Sequence, residues 1–255
     1  MALFTDGPIN GTTDLPDYES SVFTMAGVEG VDITAKMTLA QEAIGKQILL
    51  FLLRAPLRDS KAAVRRAIGV SDVVITRPLR HWHAVKSLAL AYRDAYNSQL
   101  NDRYLGKWNE YERLAQDAAQ EYLQIGVGLV ADPIQRGSEP MLTTVAGTGS
   151  ATTYYVALSW INAGGQEGAL GDVGSMLTAD GTQLVVSSAS APGNAAAWNV
   201  YAGNAADLVT LQNPMPVAIG SNWILPATGL IAGRRPSEGQ AVERFLFHDR
   251  LIQRG

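Results

Sequence analysis

From Gly137 to Gly233, 97 consecutive residues contain no lysine and no arginine. No other feature limits the fold so strongly, because the residues before it are built from a different alphabet. Residues 54–113 hold 12 Lys/Arg against 6 Asp/Glu, a net of +6, while residues 1–32 carry six acids and no base. Of the 25 glycines, only 9 precede residue 137. A joint change in charge and glycine content marks a domain boundary. It falls at 132–140, where Pro133, Gly137 and Pro140 interrupt any regular element. The chain therefore divides into an acidic N-terminal segment (1–32), a helical domain (33–136), a β-sandwich (141–233) and a C-terminal arm (234–255).

The first half reads as helical. Asp32 or Thr34 can cap a helix, because a short oxygen-bearing side chain accepts the first free backbone N–H groups. Met37, Ala40, Ile44, Ile48 and Phe51 then recur at helical spacing until Pro56 stops the run. A short helix is expected over 59–68, then the β-branched Val73-Val74-Ile75, then a helix capped by Thr76 with Pro78 in its first turn. Two stripes follow: Trp82, Val85, Ala89, Tyr92 and Tyr96, then Trp108, Tyr111, Ala115, Ala118, Tyr122 and Ile125. Periodicity alone leaves open whether helix 78–125 is continuous or breaks near Asn101 or Gly106. Gly126 and Gly128 end it.

The second half reads as strands and turns: residues 152–160, Leu184-Val185-Val186, Trp198-Asn199-Val200-Tyr201 and Trp223-Ile224-Leu225. The expected class is α+β, an N-terminal helical bundle followed by a separate β-sandwich domain. In the arm, Ser237-Glu238-Gly239-Gln240 has the form of a capping box, while residues 244–250 alternate as in a strand. Strand and helix both remain open there, and the alternation favours an extended segment.

Composition narrows the function. Hydrophobic residues at 47% and charged residues at 17% describe a chain with a buried core. Zero cysteines exclude disulfides, thiolate zinc sites and cysteine nucleophiles. The apolar run from Ile48 to Leu53 is too short for a bilayer, and the N-terminus lacks the basic start of a secretory signal. A net charge of −4 argues against a whole-chain nucleic-acid or membrane binder. A protein made in the cytoplasm, with no membrane partner, is expected.

Catalytic signals are sparse. His81 and His83 point about 200° apart on a helix and cannot share a metal. His248-Asp249 has no nucleophile motif beside it. Gly126-Val127-Gly128-Leu129-Val130-Ala131 fits a relaxed dinucleotide pattern, but a helix precedes it where the fingerprint needs a strand, so it reads as a helix stop. Glu110, Glu112, Asp117 and Glu121 could pair for acid–base work, yet a solvated helix face is the plainer reading. The expectation is no enzyme, with no catalytic residue, cofactor or metal. The basic stretch can neutralise phosphates, or pair with the acidic first 32 residues of the same or a neighbouring subunit.

Residues 31–140 resemble the head–tail adaptor (connector, or neck) proteins of tailed bacteriophages. The likeness is carried by residues 31–40, by Thr76-Arg77-Pro78-Leu79-Arg80-His81-Trp82-His83, by residues 90–104, and by Lys107-Trp108. Residues 141–233 resemble the fibronectin-type or immunoglobulin-like sandwiches appended to phage structural proteins, through residues 154–162, Trp198-Asn199-Val200-Tyr201 and Leu211-Gln212-Asn213. The resemblance implies a structural virion protein, assembled in the host cytoplasm. It would form a ring of about twelve copies below the portal, extending the DNA channel. Its implied partners are further copies of itself, the portal protein, tail or nozzle proteins and tail fibres, with packaged DNA passing non-specifically close by. The alternative is a fibre-attachment or receptor-binding virion protein in which the sandwich binds.

Two sets of contact residues are expected. Trp82, Tyr92, Tyr96, Trp108, Tyr111 and Tyr122 carry more aromatic area than a thin helical domain can hide, so part should face neighbouring subunits. In the arm, Arg244, Phe245, Phe247, Arg250, Leu251 and Ile252 should dock on a neighbouring subunit or on the portal, as the resemblance implies; the alternative is that the arm closes the sandwich as a strand or packs back on its own helices.

Overall fold

The structure, a computed structural model, describes residues 1–54, 68–99 and 102–247. It is α+β: helices in the N-terminal half, antiparallel sheets beyond. Two compact units are present, and neither is continuous in sequence. One comprises Met1–Asp6 with Val130–Ala241; the other comprises Gly7–Leu129 and, among the described residues, 242–247. Among the described residues no helix is long and apolar enough to cross a membrane.

In the helical unit, the turn Thr12–Asp17 leads to α1 (Val22–Glu29), α2 (Ile33–Arg54), α3 (Arg77–Gln99) and α4 (Leu105–Ile125). Asp32 caps α2, its Oδ1 accepting the Ala35 N–H at 3.0 Å. Met37, Ala40, Ile44, Ile48 and Phe51 of α2 are buried. The helix expected over 59–68 lies, but for Ile68, outside the described residues. The expected helix 78–125 is two helices, and Gly106 sits inside the second.

The reason is aromatic. When the chain turns back, Tyr92 stacks on Tyr111 at 5.5 Å, Tyr96 on Trp108 at 5.6 Å, and Trp82 meets Tyr122 at 5.6 Å. Rising numbers on α3 meet falling numbers on α4, so the pair is antiparallel. A continuous helix would leave both stripes in water.

Gly126 then ends α4 with φ +107°, and the chain continues as β1 (Val127–Leu129). The C-terminal strand β10 (Arg244–Leu246) pairs antiparallel with β1, while Val73 bridges to Leu129 on the other side. Residues 242–246 therefore belong to the helical unit, and that unit ends its first pass at Leu129 rather than at residue 136.

In the other unit, β2 (Met141–Ala146), β5 (Thr182–Ser187) and β9 (Trp223–Ile224) form one sheet. The second sheet has the order β4 (Gly174–Leu177), β3 (Thr153–Asn162), β6 (Ala195–Gly203), β7 (Thr210–Leu211), with β8 (Val217–Ala218) also on β6. Alternation decides the packing. Tyr154, Val156, Leu158 and Trp160 of β3 join Trp198, Val200 and Ala202 of β6 and Leu184 and Val186 of β5 in one apolar cluster. The N-terminal segment is split. Residues 1–6 join this unit, where Asp6 accepts the N–H groups of Leu3 (2.8 Å) and Arg136 (2.9 Å).

Candidate assembly surfaces and a buried polar cluster

The aromatic stripes correct one expectation. Trp82, Tyr92, Tyr111 and Tyr122 are buried within their own unit, between α3 and α4. Tyr96 and Trp108 are half-buried, stacked on each other. Two helices packed face to face conceal what one helix cannot, so these side chains serve as core and leave little area for a neighbour.

The arm is corrected in part. It is extended where described, but β10 is fastened to its own unit and is not free. The fastening depends on glycine. A Cβ on Gly128 would meet Val242 Cγ2 at 2.9 Å, and one on Gly126 would meet the Leu246 carbonyl oxygen at 3.1 Å. The helix stop read from Gly126 and Gly128 thus also clears the path for the last strand. Ser237–Gln240 is no helix cap: the Gln240 amide accepts the Ile134 N–H at 2.7 Å and donates to the Asp132 carbonyl at 2.9 Å. Phe245 and Phe247, two apart on the arm, are 48% and 57% exposed, and Arg244 is exposed as well. Arg250, Leu251 and Ile252 lie outside the described residues.

Some of the opposite charges do meet within the helical unit. Lys107 of the basic stretch pairs with Glu19 of the acidic segment at 2.8 Å. Ser21 (2.7 Å) and Tyr111 (3.0 Å) also donate to that carboxylate. Burial opposes ionisation of Glu19, but these donors outweigh it and lower its pKa to about 2. A carboxyl near 4.5 unfolded and about 2 folded stabilises above the first value, and that stabilisation disappears as pH falls to the second. Acid titration of the unfolding free energy should therefore show a loss between about pH 4.5 and 2 that Glu19→Gln removes.

His81, His83, Glu112 and Asp117 are structural or solvated, and His248 lies outside the described residues. His81 stacks on Tyr18 at 5.6 Å, and His83 is buried with Nε2 3.0 Å from the Met37 carbonyl oxygen. Burial lowers the His83 pKa, so the ring is neutral and Nε2–H donates. Asp117 is exposed and pairs with Arg113 at 3.3 Å. Glu112 pairs with Lys86 at 3.2 Å beside a cavity of about 250 Å³ that Trp82, Gln47 and Gln116 also line. That volume lies below the usual range for small-molecule sites. Among the described residues, no three His, Asp or Glu side chains gather as a metal site.

Sequence reading missed one cluster altogether. On the β3–β6 face turned away from the apolar cluster, Glu167 Oε1 accepts from the Ser159 hydroxyl, from Asn199 Nδ2 at 2.9 Å and from the Tyr201 hydroxyl at 2.7 Å. Oε2 receives Arg234 Nη2 at 2.6 Å, and the guanidinium lies 5.9 Å from the Tyr201 ring centroid. Burial works against the charge on Glu167, yet Arg234 and the three other donors prevail and hold its carboxyl below the ordinary value. Four donors occupy both oxygens, which makes the group a fastener for the strand-like segment around Arg234 rather than a base awaiting substrate. The signal was the odd-numbered polar residues of otherwise apolar strands, Ser159 and Asn199 among them.

No protein-family model matches the chain, and no curated protein matches it.

Proposed function

We propose that this chain is a structural virion protein, a ring subunit at the head–tail junction below the portal of a tailed bacteriophage. In this role it extends the DNA channel and docks tail components, without catalysis. The observation that carries the reading is that the resembling residues, from Thr76 to Trp108, supply α3 and the start of its antiparallel partner α4. They are distributed along two helices of one compact unit. The exposed Phe245 and Phe247, at the end of a strand anchored to that unit, support a docking role for the chain's last residues. The lysine- and arginine-free sandwich gains nothing from phosphate contact and belongs on the outside of the ring.

Electron microscopy and native mass measurement of the full chain, alone and with its portal protein, test this. Closed rings of about twelve copies are expected when the portal protein is present. A protein that stays monomeric beside its portal overturns the reading. Phe245→Ala with Phe247→Ala should weaken portal binding by about tenfold or more while circular dichroism stays unchanged.

One observation favours the second reading, in which the sandwich is the binding part of a fibre-attachment protein. The edge strand β2 is exposed along nearly its whole length, with Met141 59% and Val145 43% accessible. Such an edge accepts a partner strand. Trimers or hexamers in the mass measurement would favour it.

A further inference from the structure

α2 has two faces, and α3 covers one of them. On the other, Ala35, Leu39, Glu42, Lys46, Leu49 and Leu53 recur at steps of four, three, four, three and four, and all six are exposed. Leu39, Leu49 and Leu53 are 48%, 41% and 73% accessible. This is the a/d seam of a helix that packs against another helix along its length. Among the described residues, no helix of the unit lies on it.

We propose that this seam docks antiparallel on the same seam of a second copy, about a two-fold axis level with residue 44. The register follows from the residues. Antiparallel seams meet in layers, each a position opposite a d position. With the axis there, Ala35 meets Leu53, Leu39 meets Leu49 and Glu42 meets Lys46, and each layer recurs on the far side of the axis. The smallest residue faces the most exposed leucine, leucine faces leucine, and each charge faces its opposite. Sliding one helix by a heptad sets Leu39 against Glu42, or Leu49 against Lys46, and buries unpaired charge. A parallel arrangement sets Glu42 on Glu42 and Lys46 on Lys46. One register satisfies all six positions.

A seam about 27 Å long buries less than the roughly 800 Å² per partner of a standard interface, so the dimer should dissociate in the micromolar range. The inference is independent of the ring proposed above. A two-fold contact closes on itself and adds no third copy. It is therefore measured without a portal.

Sedimentation velocity of the full chain, from about 1 to 200 μM, is the test. A monomer–dimer equilibrium is expected. Lys46→Glu should weaken it by about tenfold or more, because both symmetry-related pairs become repulsive, with the circular dichroism spectrum unchanged. Exchanging both charges, Glu42→Lys with Lys46→Glu, should restore the dimer to within a few-fold. A chain that is monomeric throughout the range overturns the inference, as does self-association that Lys46→Glu leaves unchanged. So does a double exchange that fails to restore the dimer.

Discussion

Adding one methyl group at Gly137 is expected to cost the sandwich unit about 3 kcal/mol or more. The Gly137 N–H donates to the Ala169 carbonyl at 2.9 Å, and the Gly171 N–H donates to the Leu158 carbonyl at 2.8 Å. These bonds bring three backbone segments together where no side chain fits. A Cβ on Gly137 would overlap the Leu158 carbonyl oxygen and stand 2.9 Å from the Gly171 nitrogen. Neither neighbour is a flexible side-chain end, so the backbone itself must part from β3. The two hydrogen bonds would go with it, leaving buried groups without partners. Gly137→Ala should lower the melting of this unit by roughly 10–20 °C, read by calorimetry and by near-ultraviolet dichroism of Trp160 and Trp198. An unchanged transition would mean the close approach does not exist.

The second large effect concerns Trp82, which is 2% exposed and packs on Tyr122. Trp82→Ala should destabilise the helical unit by about 3–5 kcal/mol, the range for truncating a buried tryptophan. Chemical denaturation of the variant would measure it. The result also decides between two meanings of the aromatic stripe. A residue that faces a neighbouring subunit can be truncated with little change in the isolated chain. One that fills the space between α3 and α4 cannot. Loss of association with unchanged monomer stability would return Trp82 to the surface.

Much of the helical unit was legible because its signals are local. The Asp32 cap, the apolar repeat from Met37 to Phe51, the Pro78 start and the Gly126 stop each depend on residues a few positions apart. The break between Gln99 and Leu105 falls near Asn101, one of the two positions offered, but periodicity alone did not decide it. Both candidate sites, Asn101 and Gly106, have residues tolerated in helices, and the turn gains its stability from Tyr92 on Tyr111 and Tyr96 on Trp108. Trp82, Tyr92, Tyr111 and Tyr122, expected at a subunit interface, are buried within their own unit for the same cause. Periodicity shows that a stripe will be covered, but not whether the cover is the next helix or another copy.

In the sandwich, the strongest strands announced themselves by β-branched and aromatic content. The short strands β7, β8 and β9 exist through their pairing with β6 and β5. The Glu167 cluster has the same origin: its members are spread from residue 159 to residue 234, and only the folded sheet makes them neighbours.

Local residue patterns set the α+β class, the site of the charge and glycine boundary, the starts of α2 and α3 and the end of α4, since propensity, capping and charge act over a few residues. Long-range pairing alone places residues 1–6 in one unit and residues 242–247 in the other. Residues 1–6 enter the sandwich unit through backbone bonds to Asp6 and the Met1 ammonium, which donates to the Gln240 carbonyl at 3.0 Å. β10 returns to β1 across more than a hundred residues, through hydrogen bonds that any sequence can make and glycines that let the strands approach. Backbone pairing carries no side-chain signature, so a strand's partner is fixed by what else has already packed around it.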